Sequence, residues 1–261
     1  MKSRFLTLKP SGARIQVVEA GKGRDLLFLH GAGGHMPNDP LIGALATRYR
    51  VVAPLLPGYG QSTGEDGLRD MLDITLHALD VLEGLKLRNP IVVGHSMGGM
   101  IAAEMAAIAH TEVSKLCLLA PAGLWMDAHP VQDIFTKLPF EFPGLLFHDA
   151  ELGRRLMTTG GNIEDPEFLK AFLVMNARRL GMAGKILFPI PDRGLAQRLH
   201  RITARTLIVW GREDTLIPPL YGDAFKKAIS KSRLVRIAKA GHAVGQENPQ
   251  AVLEAIRRHF A

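Results

Sequence analysis

The stretch PIVVGHSMGGM, residues 90–100, runs from an apolar segment into glycines with Ser96 between them. Its core, Gly94-His95-Ser96-Met97-Gly98, fits G-x-S-x-G. The apolar residues before it predict a strand over Ile91–Val93, and the Ala- and Met-rich run after it predicts a helix over Gly98–Ala109. A sharp strand-to-helix turn holds a serine in strained geometry with its hydroxyl exposed, and glycines let the neighbouring backbones approach closely. The helix N-terminus adds free amides that stabilise a developing oxyanion. Alone, the pattern also describes a glycine-rich turn with a small hydroxyl residue, so its reading depends on partners elsewhere in the chain.

Working outward, short apolar runs bounded by glycine or proline recur at Leu26–Leu29, Val51–Ala53, Leu116–Leu119, Thr206–Trp210 and Leu234–Ile237. Runs of this kind suit strands buried on both faces, and helical periodicity between them argues for a parallel sheet with crossover helices. Leu68–Leu85, Gly222–Ile229 and Gln250–Phe260 complete the predicted helices. Arg4–Leu8 and Arg14–Ala20, separated by Pro10-Ser11-Gly12, read as a hairpin of antiparallel edge strands. The class is therefore α/β. From Leu124 to about residue 200 no such strand occurs, whereas Phe, Leu, Met and Pro recur among short helical pieces such as Phe168–Leu180. That length is excessive for a loop and predicts a structured insertion. The organisation expected is a core of residues 1–123 and 201–261 with a helical cap over residues 124–200. Phe135, Phe140, Phe142, Leu145, Phe147, Phe172 and Met175 would supply an apolar pocket or the cap's own core.

A serine hydroxyl is a poor nucleophile near neutral pH and needs a histidine to take its proton and a carboxylate to fix the imidazole's tautomer. His242 stands out among ten histidines, because Ala240-Gly241-His242 follows the last predicted strand and Glu247-Asn248-Pro249 then opens the final helix. Trp210-Gly211-Arg212-Glu213-Asp214 follows the penultimate strand and offers Asp214, with Glu213 its local competitor. The chain order Ser96, Asp214, His242 matches the Ser…Asp…His order of this architecture. His30-Gly31-Ala32-Gly33-Gly34, after the Leu26–Leu29 strand, is a second glycine-rich turn. It assigns the Ala32 amide to an oxyanion hole, with Gly33 as a neighbour and the Met97 amide as the second donor. A phosphate cradle is the rival reading there, but neither G-x-x-x-x-G-K-[ST] nor G-x-G-x-x-G occurs. His95 reads as packing or pocket wall.

Composition narrows the alternatives. Of 261 residues, 47% are hydrophobic and no low-complexity tract interrupts them, which fits one globular domain with an insertion. The net charge of +7 is scattered, with pairs such as Arg154-Arg155, Arg178-Arg179 and Lys226-Lys227 as its densest points, so no nucleic-acid partner is expected. Cys117 is the only cysteine, which excludes an intrachain disulfide and places it in a buried strand. No apolar run reaches membrane-span length and the start lacks a signal-peptide core, so a cytoplasmic protein with no membrane partner is expected. No cofactor and no metal are expected, the partner is a small-molecule substrate, and a homodimer stays open.

Taken together, FLHGAGG (28–34), LPGYGQS (56–62), VVGHSMGGMIA (92–102), LIVWGREDTLIPP (207–219) and AGHAVGQENP (240–249) resemble the α/β-hydrolase superfamily over nearly the full chain. The chain is most similar to the single-cap group of carboxylesterases, enol-lactone hydrolases and meta-cleavage-product hydrolases. The resemblance implies a mostly parallel eight-stranded sheet with a helical lid between strands six and seven. It also implies a Ser96–His242–Asp214 triad working through an acyl-enzyme, most simply on an ester. Ser96 excludes the covalent chemistry of relatives whose nucleophile is aspartate. Pro54-Leu55-Leu56 stands where many relatives carry an aspartate before the LPGYGQS-like stretch. Ala243 stands where carbon–carbon hydrolases carry tryptophan, whereas Arg178 and Arg179 offer a cation for a substrate carboxylate, as a cap arginine does in that group. A ligand-binding receptor on the same fold is the non-enzymatic alternative.

Overall fold

A computed structural model of the chain describes residues 1–159, 161–190 and 192–261. Residues 160 and 191, inside the expected cap, lie outside the described residues. One eight-stranded sheet is built from β1 (Lys2–Thr7), β2 (Arg14–Ala20), β3 (Arg24–Leu29), β4 (Tyr49–Pro54), β5 (Ile91–His95), β6 (Lys115–Leu119), β7 (Arg205–Gly211) and β8 (Ser232–Ile237). Their order is β1-β2-β4-β3-β5-β6-β7-β8. Pairing is antiparallel for β1 with β2 and β2 with β4, and parallel from β4 to β8. Only β1 is an edge strand of the expected hairpin, because β2 takes β4 as its second neighbour.

The central strands are apolar on both faces because helices cover both. On one side α2 (Met71–Gly84) and α3 (Met97–Ile108) pack with Tyr221 and Phe225 of α7 (Tyr221–Ala228) against alternate residues of the sheet such as Leu27, Val92 and Leu118. On the other, α1 (Pro40–Leu45) and α9 (Pro249–Phe260) cover Leu26, Val93 and Cys117. Aspartates set where several helices begin. Asp70 Oδ1 accepts from the Leu72 and Asp73 amides, so α2 starts three residues later than the apolar pattern predicts. Helix α1 escaped the periodicity reading because it is only six residues long, and Asp39 caps it.

Between β6 and β7 the described residues form helices and turns without a strand. They include α4 (Phe142–Leu146), α5 (Ala150–Thr158) and α6 (Pro166–Leu187). Helix α6 is longer at both ends than the predicted Phe168–Leu180. Asp165 caps its start, and it stops just before the Phe188-Pro189 pair, where proline disfavours a helical residue ahead of it. A short helix, α8 (Val244–Glu247), intervenes between β8 and α9.

Successive parallel strands leave β3 in opposite directions, to β4 on one side and to β5 on the other. The carboxyl ends of β3 and β5 therefore flank a switch point, the place where an open α/β sheet leaves a crevice for ligands. The two glycine-rich turns picked out from the sequence sit at these two ends.

Candidate active site

Ser96 links β5 to α3 with φ 53° and ψ −117°, a left-handed backbone conformation for a residue that carries a side chain. Such a geometry costs about 1–3 kcal/mol and persists only where surrounding contacts fix it. Here the Ser96 amide donates to Leu119 O at 2.9 Å, and Ser96 O accepts from the Met100 and Ala122 amides, both at 3.0 Å. The flanking glycines make the turn sterically feasible. A Cβ on Gly94 would lie 2.3 Å from Gly98 O, and a Cβ on Gly98 would lie 2.3 Å from Leu29 O and 2.5 Å from His30 O. The start of α3 thus sits directly on the end of β3, which brings the Ser96 turn beside the turn that begins at His30. At Gly31 a Cβ would meet the Ser96 Cβ at 3.3 Å.

The chain folds His242 and Asp214 into direct contact. Asp214 Oδ2 accepts from His242 Nδ1 at 2.9 Å and from Trp210 Nε1 at 3.0 Å, while its Oδ1 accepts from the Leu216 and Ile217 amides at 3.0 and 2.9 Å. With both carboxylate oxygens occupied by donors, the Nδ1–H tautomer of His242 is fixed and Nε2 keeps its lone pair. That Nε2 is buried and has no hydrogen-bond partner among the described residues, Ser96 included. Glu213 is directed elsewhere: its Oε2 accepts from the Ala240 amide at 3.1 Å and braces the same loop.

Ser96, His95, His242, Ala32 and Gly33 line a single cavity of about 360 Å³. The Ala32 amide and the Met97 amide, the latter in the first turn of α3, have no backbone acceptor among the described residues. His30 shapes the turn before Ala32: its Nε2 accepts from the Leu56 amide at 3.0 Å, which leaves Nδ1–H to donate to Gly31 O at 2.7 Å. Burial pushes the His30 pKa well down and the neighbouring His35 to about 4, so both rings are neutral. His95 is pulled to about 4, chiefly by burial, and its Nε2–H donates to the His242 carbonyl at 3.0 Å.

Arg178 and Arg179 part company. Arg178 is exposed, 4.0 Å from Glu65 Oε1. Arg179 lines the cavity, has no carboxylate partner among the described residues, and burial lowers its pKa. Its backbone carbonyl accepts from the Tyr59 hydroxyl at 3.2 Å, and the same hydroxyl donates to Ala32 O at 3.0 Å, so one tyrosine ties α6 to the Ala32 turn. Phe168, Phe172, Met175 and Arg179 are spaced i, i+4, i+7, i+11 along α6 and all face the cavity. That spacing was readable in the sequence and separates Arg179 from Arg178.

Of the apolar residues expected to form a pocket or cap core, Phe142, Phe147, Phe172 and Met175 line the cavity. Leu145 is buried in the main core, Phe135 packs edge-on to Phe188, and Phe140 is 52% exposed over Phe172. Sequence reading missed Asn176, Gln246 and Glu247. Asn176 and Gln246 line the cavity; Asn176 Nδ2 donates to Phe172 O, and Gln246 Nε2 donates to Asp39 Oδ2. Glu247 accepts from the Gly241 amide at 2.6 Å and the Asp149 amide at 2.9 Å, clamping the His242 loop to the start of α5. These polar residues have no local motif, and only tertiary packing gives them a place at the site.

The described residues contain no cluster of metal-binding side chains, and no described helix is long and apolar enough to cross a membrane.

A serine on a strained strand-to-helix turn, beside a carboxylate-oriented histidine, at the switch point of an eight-stranded mostly parallel sheet, defines an α/β-hydrolase fold. The chain belongs to the alpha/beta hydrolase family, whose model matches residues 26–255. It is 27% identical to the 2-hydroxy-6-oxo-6-phenylhexa-2,4-dienoate hydrolase of Burkholderia cepacia, over 95% of this chain and 93% of the relative. It is 30% identical to the AB hydrolase superfamily protein YisY of Bacillus subtilis, over 90% of this chain and 91% of the relative. Among solved structures, a bacterial membrane phospholipase A superposes with a TM-score of 0.78 at 22% identity, covering 99% of this chain and 85% of that one.

Proposed function

We propose that the protein is a cofactor-independent serine hydrolase that cleaves an ester of a small or medium acyl group. The observation that carries this reading is the pairing of a tautomer-locked His242 with Ser96 in one cavity. Ser96 Oγ attacks the substrate carbonyl while Nε2 of His242 takes its proton, and Asp214 stabilises the imidazolium that results. The Ala32 and Met97 amides receive the oxyanion, each worth about 3–4 kcal/mol of transition-state stabilisation. The proton then passes from His242 to the leaving group, and water activated by the same imidazole releases the acid. Residues 124–200 act as the cap, since α5 and α6 supply much of the cavity wall.

Arg179 supports a second reading, hydrolysis of a carbon–carbon bond in a vinylogous diketo acid. Its unpaired guanidinium in the cavity suits a substrate carboxylate. The name of the Burkholderia cepacia relative agrees with that chemistry; Ala243, buried in the cavity wall where a tryptophan is expected for it, does not. A panel of nitrophenyl esters and diketo acids, with Ser96→Ala as blank, tests both. Ester turnover that disappears in Ser96→Ala supports the first reading. Turnover of the diketo acid alone replaces it with the second. Undiminished turnover in Ser96→Ala refutes both.

A further inference from the structure

Ser96 also lines a second, smaller cavity of about 50 Å³, which residues of the Ala32 turn do not line. Met100, Gly123, Leu124, Leu187 and Arg193 are among its walls, and Ile134 and Leu216 are shared with the large cavity. His242, Ala32 and Gly33 line only the large one. The three groups on a carbonyl under attack need different surroundings. Its oxygen must reach the oxyanion amides, and its leaving group must reach the imidazole that protonates it. Both requirements point into the large cavity, which leaves the acyl substituent directed into the small one. A volume of about 50 Å³ accommodates only a few heavy atoms, since one water needs about 10–15 Å³.

The polarity of this chamber is unusual for an acyl pocket. Arg193 makes no ion pair among the described residues, and its Nε is buried without an acceptor. The adjacent carboxylate, Asp192, is occupied by the Gly194 amide at 2.6 Å. Arg198 holds the Arg193 backbone in place by donating to its carbonyl at 3.0 Å while also binding Glu104, so the segment is anchored to α3.

From these observations we infer that the Arg193-lined chamber is the acyl subsite and takes a short acyl group ending in a carboxylate. The inference rests on the serine-hydrolase reading above. In the acylation step, the Ser96 Oγ–carbon bond forms and the carbon–leaving-group bond breaks. The Ser96 proton passes through His242 to the leaving group. Water then adds to the acyl-enzyme, its proton passing through His242 to Oγ as the Ser96 Oγ–carbon bond breaks, and the acyl part departs as a short dicarboxylic acid. A guanidinium without a partner gains a charge-assisted bond from that terminal carboxylate, and a longer aliphatic chain has no room.

The test compares acetyl, butyryl, octanoyl and hemisuccinyl esters of one nitrophenol by kcat/KM. Hemisuccinate is expected to exceed butyrate by at least tenfold, and octanoate to be the poorest. Arg193→Met should lower the hemisuccinate-to-acetate ratio about tenfold, a ratio that a general loss of folding would not move. Leu187→Ala, which enlarges the chamber without touching Arg193, should raise the octanoate-to-acetate ratio. Octanoate turned over as well as acetate, or Arg193→Met lowering all four esters equally, would overturn the inference while leaving Ser96 as nucleophile. Failure of a fluorophosphonate to label Ser96 would instead remove the reading on which it rests, and the inference with it.

Discussion

Replacing Asp214 with asparagine probes the one residue whose role depends on a proton's position rather than on shape. Asp214 is 4% exposed and accepts from four donors, two at each oxygen. An asparagine keeps one acceptor oxygen, and its best orientation leaves that oxygen on the Leu216 and Ile217 amides. The new NH₂ then faces Trp210 Nε1 and His242 Nδ1. Trp210 loses little, because its Nε1–H is already shared with Ile217 O at 3.1 Å. His242 accommodates the change by shifting its proton to Nε2, which turns Nδ1 into an acceptor. The cost in stability is thus confined to about 1–3 kcal/mol, the range for one compromised buried donor. The cost in catalysis is far larger, because an imidazole protonated at Nε2 cannot take the Ser96 proton. The equivalent substitution in the chymotrypsin triad lowers kcat about 10⁴-fold, which corresponds to about 5.4 kcal/mol at about 1.36 kcal/mol per decade. A similar loss is expected here, measured as kcat on a nitrophenyl ester, with urea denaturation confirming a folded variant. Glu213→Gln serves as the control: among the described residues Glu213 accepts only from the Ala240 amide, so kcat should stay within about threefold of wild type. A folded Asp214→Asn enzyme within tenfold of wild-type kcat would refute the reasoning, as would a Glu213→Gln enzyme that is the more impaired of the two.

Four further outcomes are expected. Gly98→Ala drives a Cβ to 2.3 Å from the Leu29 carbonyl, a backbone atom that cannot rotate away, so the thermal midpoint should fall sharply and Ser96 should lose fluorophosphonate labelling. Arg198→Met leaves the carboxylate of Glu104, 2% exposed, without its bidentate partner; a loss of about 3 kcal/mol, or ~6–12 °C in the melting temperature, should register by calorimetry. Stability should decline as pH falls from about 6.5 to about 4, because His35, His77 and His95 are held neutral in the fold with pKa values of about 4, whereas the unfolded chain takes up protons near 6.5. Urea midpoints at pH 7.5 and pH 5 measure that slope, and an unchanged midpoint would contradict it. Arg179→Met should raise KM for diketo acids at least tenfold and leave neutral esters within about threefold.

What could be read in the sequence was what local chemistry dictates. Glycine spacing around Ser96 is forced because a Cβ at Gly94 or Gly98 would lie 2.3 Å from a carbonyl oxygen, so the turn announces itself in five residues. The strands were legible because burial on both faces leaves an unbroken apolar run, and their order along the chain was enough to single out His242 and the Glu213-Asp214 pair. Choosing between Glu213 and Asp214 was a different problem. Both follow β7, and only the turn at Leu216 and Ile217, whose amides converge on one carboxylate, directs Asp214 to the imidazole. The interval lacking strands was legible, and within it the spacing of Phe168, Phe172, Met175 and Arg179 set the register of α6; only the helix's full extent, Pro166–Leu187, was not. Once that register is set, Arg179 falls on the face of Phe168, Phe172 and Met175, and Arg178 turns toward solvent and Glu65. Residues that act through tertiary contacts alone, such as Glu247 bridging the His242 loop to α5, left no periodic trace. The division is physical: backbone sterics and burial write short-range patterns, whereas the lining of the two cavities is assembled from side chains of segments far apart in sequence. Ser96 lines both cavities, with Arg179 in the wall of one and Arg193 in the wall of the other, so the nucleophile proposed from five residues of sequence is tested separately from the two arginines proposed to select its substrate.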